Sequence, residues 1–168
     1  MMQPQLTTAI YPAFEILPLR MDSTEAAVMM LAIGLQESRF EHRVQLIGRS
    51  RHWWQSLNGP ARGWWQFEKA GGVVGVLRHH ASREYASDIC ELLRYPASAG
   101  VVHRAIAHND VLAASFARLL LWTDPEPLPT YADGADAAWE YYLRNWRPGK
   151  PHPSTWAAFW DRAWSIFQ

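Results

Sequence analysis

Glu37 has the strongest claim to chemistry in this chain. It is the sixth residue of AIGLQESRFEHR (Ala32 to Arg43), and it follows ten consecutive apolar or glycine residues, Ala26 to Leu35, with Gln36 between. A carboxylate carried into low dielectric by a buried segment resists ionisation, so its pKa rises. A carboxyl still protonated near neutrality is what a general acid needs, and glycosidases use one to protonate a glycosidic oxygen. The competing reading is that Glu37 marks the point where the segment leaves the interior and is simply hydrated. Position alone does not choose between the two.

Two other acids enter with less force. Glu41 falls four residues after Glu37, on the same face if a helix continues that far. There it would push the Glu37 pKa further up by repulsion, or pair with a nearby arginine as a solvated helix-end residue. Glu68, two after Gln66, is a candidate second acid or a first-turn carboxylate of the next helix. The remaining reactive side chains do not group. His79 and His80 are adjacent, and His103 and His108 are five apart, so neither pair shares a helix face. His80 and Glu84 share one, but two ligands do not make a metal site, and neither metal nor cofactor is expected. Cys90, the single cysteine, reads as a buried helix residue without a positioned base. GGVVG (Gly71 to Gly75) lacks the lysine and spacing of a phosphate loop. RNWRPGK (Arg144 to Lys150) reads as a solvated basic cluster.

The elements that would position Glu37 follow from pattern. The chain has 168 residues, 49% of them hydrophobic and 19% charged, which suits one globular domain over 1–168. Its formal net charge is zero, so nothing favours nucleic acid or an anionic membrane as the main partner. One cysteine cannot form an internal disulfide, so the fold does not depend on an oxidising compartment. The longest apolar run is far short of the ~20 residues needed to cross a bilayer, so no membrane insertion is expected. The start lacks the pattern of a secretory signal, which predicts synthesis in the cytoplasm and separate delivery to any outside substrate.

Residues 1–21 contain Pro4, Pro12 and Pro18 and read as an irregular arm. Asp22 or Ser23 then caps a helix running to about Arg43, with Glu25 in a partial capping-box position. Apolar nearly all round through Leu35, this is predicted to be the central buried helix. Residues 44–68 break the helical pattern with three glycines and a proline, predicting an irregular or β-containing lobe with short strands near Val44–Ile47 and Gly63–Phe67. Beyond it the pattern is helical over about 72–80, 82–94, 100–107 and 110–122. Three prolines in TDPEPLP then stop the chain, and helices follow over about 133–146 and 155–167, the last capped by Ser154. The expected class is mainly α.

Ten tryptophans stand out. Trp156, Trp160 and Trp164 at i, i+4, i+8 form one helix face and signify packing. The adjacent pairs Trp53-Trp54 and Trp64-Trp65 read differently. Neighbours on a regular element point apart, so at least one of each pair is expected to face away from the core, and flat aromatic faces in a groove suit sugar rings.

Two stretches together resemble the lysozyme-like superfamily, specifically lytic transglycosylases and goose-type lysozymes. One is Glu37-Ser38 at the end of a buried helix. The other is ARGWWQ (Ala61 to Gln66), which is similar to the family's Ala-x-Gly-Leu-Met-Gln segment. Phage-encoded cell-wall-degrading proteins look alike across much of their length, and the tail WEYYLRNWRPGKPHPSTWAAFW shares that look. The resemblance implies an α+β lysozyme-like fold with Glu37 as catalytic acid/base. It implies that Ser38 orients the segment or a substrate group, that Gly63 allows close backbone approach, and that Gln66 faces the cleft. Trp64 and Trp65, where the family has Leu-Met, would make a more aromatic cleft wall. The longer spacing from Glu37 to Gln66 marks residues 44–60 as an insertion. The family's Ala-Ala-Tyr-Asn segment falls on LAASFA (Leu112 to Ala117), with Ser115 and Phe116 where Tyr and Asn are expected. A later family tyrosine approaching the acid corresponds to Tyr141 or Tyr142.

The activity implied is cleavage of the MurNAc–GlcNAc β-1,4 bond of peptidoglycan glycan strands, without a cofactor. Glycoside hydrolysis usually employs two carboxylates, whereas the family's transglycosylases manage with one because the muramic acid C6 hydroxyl closes on the anomeric carbon. One well-placed acid tilts the expectation toward the transglycosylase, with hydrolysis the close alternative. The resemblance also implies action on the cell wall from a phage virion, alongside other virion proteins, or after holin release. A reading of another class stays open: a non-catalytic glycan-binding or structural phage module.

Overall fold

The computed structural model describes residues 4–45 and 59–168. The fold is mainly α, with one small two-stranded sheet. At its centre is α2 (Thr24–Ser38), whose residues Ala26 to Leu35 are all buried. Ser23 caps it: its side chain accepts the Ala26 N–H at 3.1 Å, which satisfies one of the orphan donors of the first turn. Glu25 therefore sits inside the first turn rather than in a capping box.

The expected extension of this helix to Arg43 does not form. Arg39 and Phe40 both take positive φ, 55° and 60°, and the chain reverses after Ser38. The reversal folds the Phe40 ring back against α2 at Gly34, where a Cβ would lie 2.2 Å from the ring. Glycine inside a helix costs about 1 kcal/mol relative to alanine, and here it makes room for that ring.

The N-terminal segment is also helical rather than an irregular arm. A π-helical turn, Leu6–Ile10, runs into α1 (Tyr11–Ile16), and a 3-10 turn follows at Leu19–Met21. Pro12 stands at the second position of α1, directly after the π-helical turn, where the helical hydrogen-bond ladder changes register. Leu6, Ala9, Ile10, Ala13 and Phe14 are buried, the i, i+3, i+4, i+7 spacing of one helix face. That face lies against α6 (Asp110–Trp122), itself capped by the Asn109 side chain on Leu112 N–H at 3.0 Å.

Three shorter helices, α3 (Val74–Arg78), α4 (Arg83–Leu92) and α5 (Ala99–Ile106), cover the other side of α6. A π-helical turn over Lys69–Val73 precedes α3, so this helical stretch begins before the expected residue 72. Cys90 is buried in α4 as expected. The prolines of residues 125–129 separate α6 from α7 (Gly134–Trp146). The last helix, α8 (Pro153–Trp164), starts one residue before Ser154, with His152 at its N-cap. Trp156, Trp160 and Trp164 form its buried face, and α2 packs on α8 more extensively than on any other described element.

The lobe between α2 and α3 contains an antiparallel hairpin, β1 (Ala61–Arg62) and β2 (Phe67–Glu68), with Ala61 opposite Glu68 and Arg62 opposite Phe67. Val44 bridges to Arg62. The strand expected over 63–67 is instead the hairpin turn, because Gly63 and Gln66 both take positive φ. Most of the expected insertion, with Trp53-Trp54 and the remainder of the 44–47 strand, lies outside the described residues.

Candidate active site

Glu37 and the hairpin turn are brought together by hydrogen bonds that run from α2 outward. The Ser38 hydroxyl donates to the Trp64 carbonyl at 2.7 Å and accepts the Phe40 N–H at 3.2 Å. It thus ties the helix end to the turn and steadies the reversal, which orients this segment through backbone partners. Two indoles continue the chain of contacts: Trp65 Nε1 donates to the Met30 carbonyl at 2.8 Å, and Trp146 Nε1 donates to the Trp65 carbonyl at 3.0 Å. Arg43 covers the turn from outside. Its guanidinium lies 4.3 Å from the Trp64 ring centre and makes a two-pronged pair with Asp110 at 2.8 and 2.7 Å.

This arrangement corrects the expected aromatic cleft wall. Trp64 and Trp65 are only 6% and 0% exposed, and both meet Phe40 edge-on, at 5.5 and 6.0 Å between ring centres. Neighbours diverge on a regular strand or helix, but these two lie in a turn between positive-φ residues, where that alternation does not hold. Gly63 permits a close approach, though to α5: a Cβ there would sit 2.6 Å from Ile106 Cγ2. Aromatic lining of the cleft beside Glu37 comes instead from Phe67 and Trp146.

That cleft has a volume of about 1340 Å³ and is lined by Glu37, Gln66 and Glu68 together with residues of α3 and of the α7–α8 link. Gln66 Nε2 donates to the Gly63 carbonyl at 2.8 Å, which fixes the amide at the cleft edge. Arg78, Arg147 and Lys150 add positive charge to the lining. Glu41 is exposed and stands near His42 at 3.8 Å; it takes no part in the cleft because the helix has already ended.

Of the two candidate tyrosines, Tyr142 reaches the acid. Its hydroxyl donates to Glu37 Oε1 at 2.6 Å, while Tyr141 turns the other way and donates to the Leu121 carbonyl at 3.0 Å. The Tyr142 ring is stacked on Trp156 with centres 5.0 Å apart and tilted against Trp139 at 5.1 Å, so the phenol has little freedom to move. Among the described residues this is the carboxyl's sole hydrogen bond.

Burial pushes the Glu37 carboxyl up to about 7; the Tyr142 bond draws it partway back, and the charge of Glu68 adds to the rise. The site thus holds a carboxyl half protonated near neutrality, fixed by one donor. A second clamp lies next to it. Gln36 Nε2 donates to the His152 carbonyl at 3.0 Å, and Thr155 Oγ1 donates to Gln36 Oε1 at 3.0 Å, so the start of α8 is fastened to the end of α2.

Other sequence candidates lie apart. Ser115 and Phe116 are buried in α6, and the Ser115 hydroxyl donates to the Val111 carbonyl at 2.8 Å. Burial raises the Cys90 thiol to about 11, away from a reactive thiolate. Among the described residues no three His, Cys, Asp or Glu side chains gather as a metal centre, and no described helix is long and apolar enough to cross a membrane. Gln36 and Trp146 were not singled out from the sequence. A polar residue directly before Glu37, and a tryptophan six before the α8 cap, were the faint signals available. Compared with family models, curated proteins and solved structures, the chain matches none of them.

Proposed function

We propose that the protein cleaves the β-1,4 glycosidic bonds of peptidoglycan glycan strands, with Glu37 as general acid and then base. The observation that carries this reading is the Glu37 carboxyl itself: it sits at the end of the central helix, is held by Tyr142, has a pKa raised to about 7 and lines a large cleft. A protonated carboxyl beside a leaving oxygen lowers the barrier by proton transfer in the transition state, worth about 10²–10⁴ in rate. The cleft exceeds the about 300–1,000 Å³ usual for small-molecule sites, which suits an extended polymer. The choice of peptidoglycan rests on the resemblance of Glu37-Ser38 and ARGWWQ to lytic transglycosylases and goose-type lysozymes.

In the transglycosylase form, Glu37 protonates the glycosidic oxygen as the bond breaks. It then withdraws a proton from the muramic acid C6 hydroxyl as that oxygen closes on the anomeric carbon. One observation favours hydrolysis instead: Glu68 lines the same cleft and its charge acts on Glu37, and hydrolysis ordinarily employs a second carboxylate. Mass spectrometry of the products separates the two. Wild type should release 1,6-anhydro-muropeptides and the Glu37→Gln variant none. Reducing-end products point to the hydrolase, and clearance of peptidoglycan by the variant at the wild-type rate refutes the role of Glu37. Glycan binding with no cleavage by wild type establishes the non-catalytic module.

A further inference from the structure

A second cavity, of about 590 Å³, lies by the start of α2, away from Glu37 at its other end. Its lining joins Ser23 and Glu25 of the α2 entry to Arg118 and Trp122 of α6 and to the proline-rich link. Arg118 is the unusual member. It is 3% exposed, its Nε donates to the Met21 carbonyl at 2.7 Å, and its buried Nη1 has no hydrogen-bond partner among the described residues. No described carboxylate forms an ion pair with it.

A buried cation without a counter-charge costs several kcal/mol. The Trp122 ring, 5.1 Å from the Arg118 guanidinium, offsets up to about 2 kcal/mol of that. The same ring is shared with Arg20 at 5.6 Å, so two guanidinium groups stand by one indole at this cavity. Burial draws Arg118 down to about 10, well above neutrality, so it stays charged.

The rest of the lining narrows the partner. Glu25 and Glu126 face the same space, while Asp124 is taken up by Arg144 at 2.7 Å and Asn145 at 2.6 Å. Acids beside the arginines disfavour a dianion such as phosphate and favour a molecule bearing one negative and one positive group. Leu121, Trp122 and Leu128 supply an apolar wall for a short side chain. We propose that this cavity binds an amino-acid zwitterion, its carboxylate on Arg118 and its ammonium on Glu25.

The test titrates the full chain with alanine, acetate and inorganic phosphate at constant ionic strength and follows the Arg118 Nε–Hε resonance by ¹⁵N NMR. Alanine should give a saturable shift and bind more tightly than acetate, and phosphate should do no more than sodium chloride. Glu25→Gln should bring alanine down to the level of acetate. Arg118→Gln should weaken alanine at least about tenfold, the loss of a charged hydrogen bond. That substitution also removes the donor to Met21, so the wild-type titration and Glu25→Gln decide the matter if it fails to fold. No saturable shift with alanine, an equal response to phosphate, or alanine no tighter than acetate overturns the proposal.

Discussion

Replacing Glu37 by glutamine should stabilise the folded protein in alkaline buffer. The unfolded chain releases the Glu37 proton near the ordinary value of 4.5, the folded protein only near 7. Between those values the folded state binds more protons, so the contribution of this group to stability is full below 4.5 and is lost as the pH rises through 7. The gap corresponds to about 3 kcal/mol at about 1.4 kcal/mol for each pH unit. Water in the cleft reaches part of the carboxyl, which brings the working range to about 1–3 kcal/mol. Glutamine can still accept the Tyr142 hydroxyl through Oε1, so the bond at this position is kept while the buried charge is removed. Urea midpoints of wild type and variant, taken at about pH 5 and pH 8.5, isolate the effect because every other titrating group is common to both. With a slope of about 2 kcal/mol per molar, the variant's midpoint should gain about 0.5–1.5 M on wild type between the two conditions. Parallel midpoints, or a wild type that gains on the variant as the pH rises, would refute the account of Glu37 as a buried, reluctantly ionised acid. Loss of cleavage in the same variant would then show that this reluctantly ionised carboxyl is the functional one.

Tyr142→Phe removes the bond that draws the Glu37 carboxyl down, so the alkaline limb of the kcat/KM profile should move to higher pH; an unmoved or lowered limb contradicts the assignment. Gly63→Ala forces a side chain into positive φ and against Ile106, and thermal melting should show a loss of about 2–3 kcal/mol. Ser38→Ala leaves the Trp64 carbonyl without its donor and should cost about 1–3 kcal/mol in denaturant titration, with activity falling further than stability because the turn carrying Gln66 is released from α2.

The central helix was legible because ten apolar or glycine residues in a row leave no face for water, and the tryptophan face of α8 because its spacing is helical. The N-terminal helix was equally present in the spacing of Leu6, Ala9, Ile10, Ala13 and Phe14, but three prolines masked it. Proline ordinarily breaks a helix interior, but Pro12 is carried where a π-helical turn gives way to α1, and residue pattern alone does not reveal that junction. The Trp64-Trp65 pair misled for a related reason: the alternation that separates neighbours belongs to strands, and here the backbone turns through positive φ at both sides. Glu37 was visible, since one carboxylate after a buried run is hard to miss. Its partner was not, because Tyr141 and Tyr142 differ by one step around α7, and only the packing of Trp139 and Trp156 sets which of them points at α2.

The fold-back of Phe40 onto Gly34 has a consequence for how this sequence can drift. Positions 34 and 40 occupy one shared volume, so neither can be replaced on its own terms. Alanine at 34 demands a smaller ring or none at 40, and a smaller residue at 40 uncovers both turn tryptophans. A family tree of this protein should therefore show the two sites exchanging bulk in concert. A lineage that breaks the pairing should also have moved its acid, because the reversal that closes on Gly34 is what ends the helix directly behind Glu37.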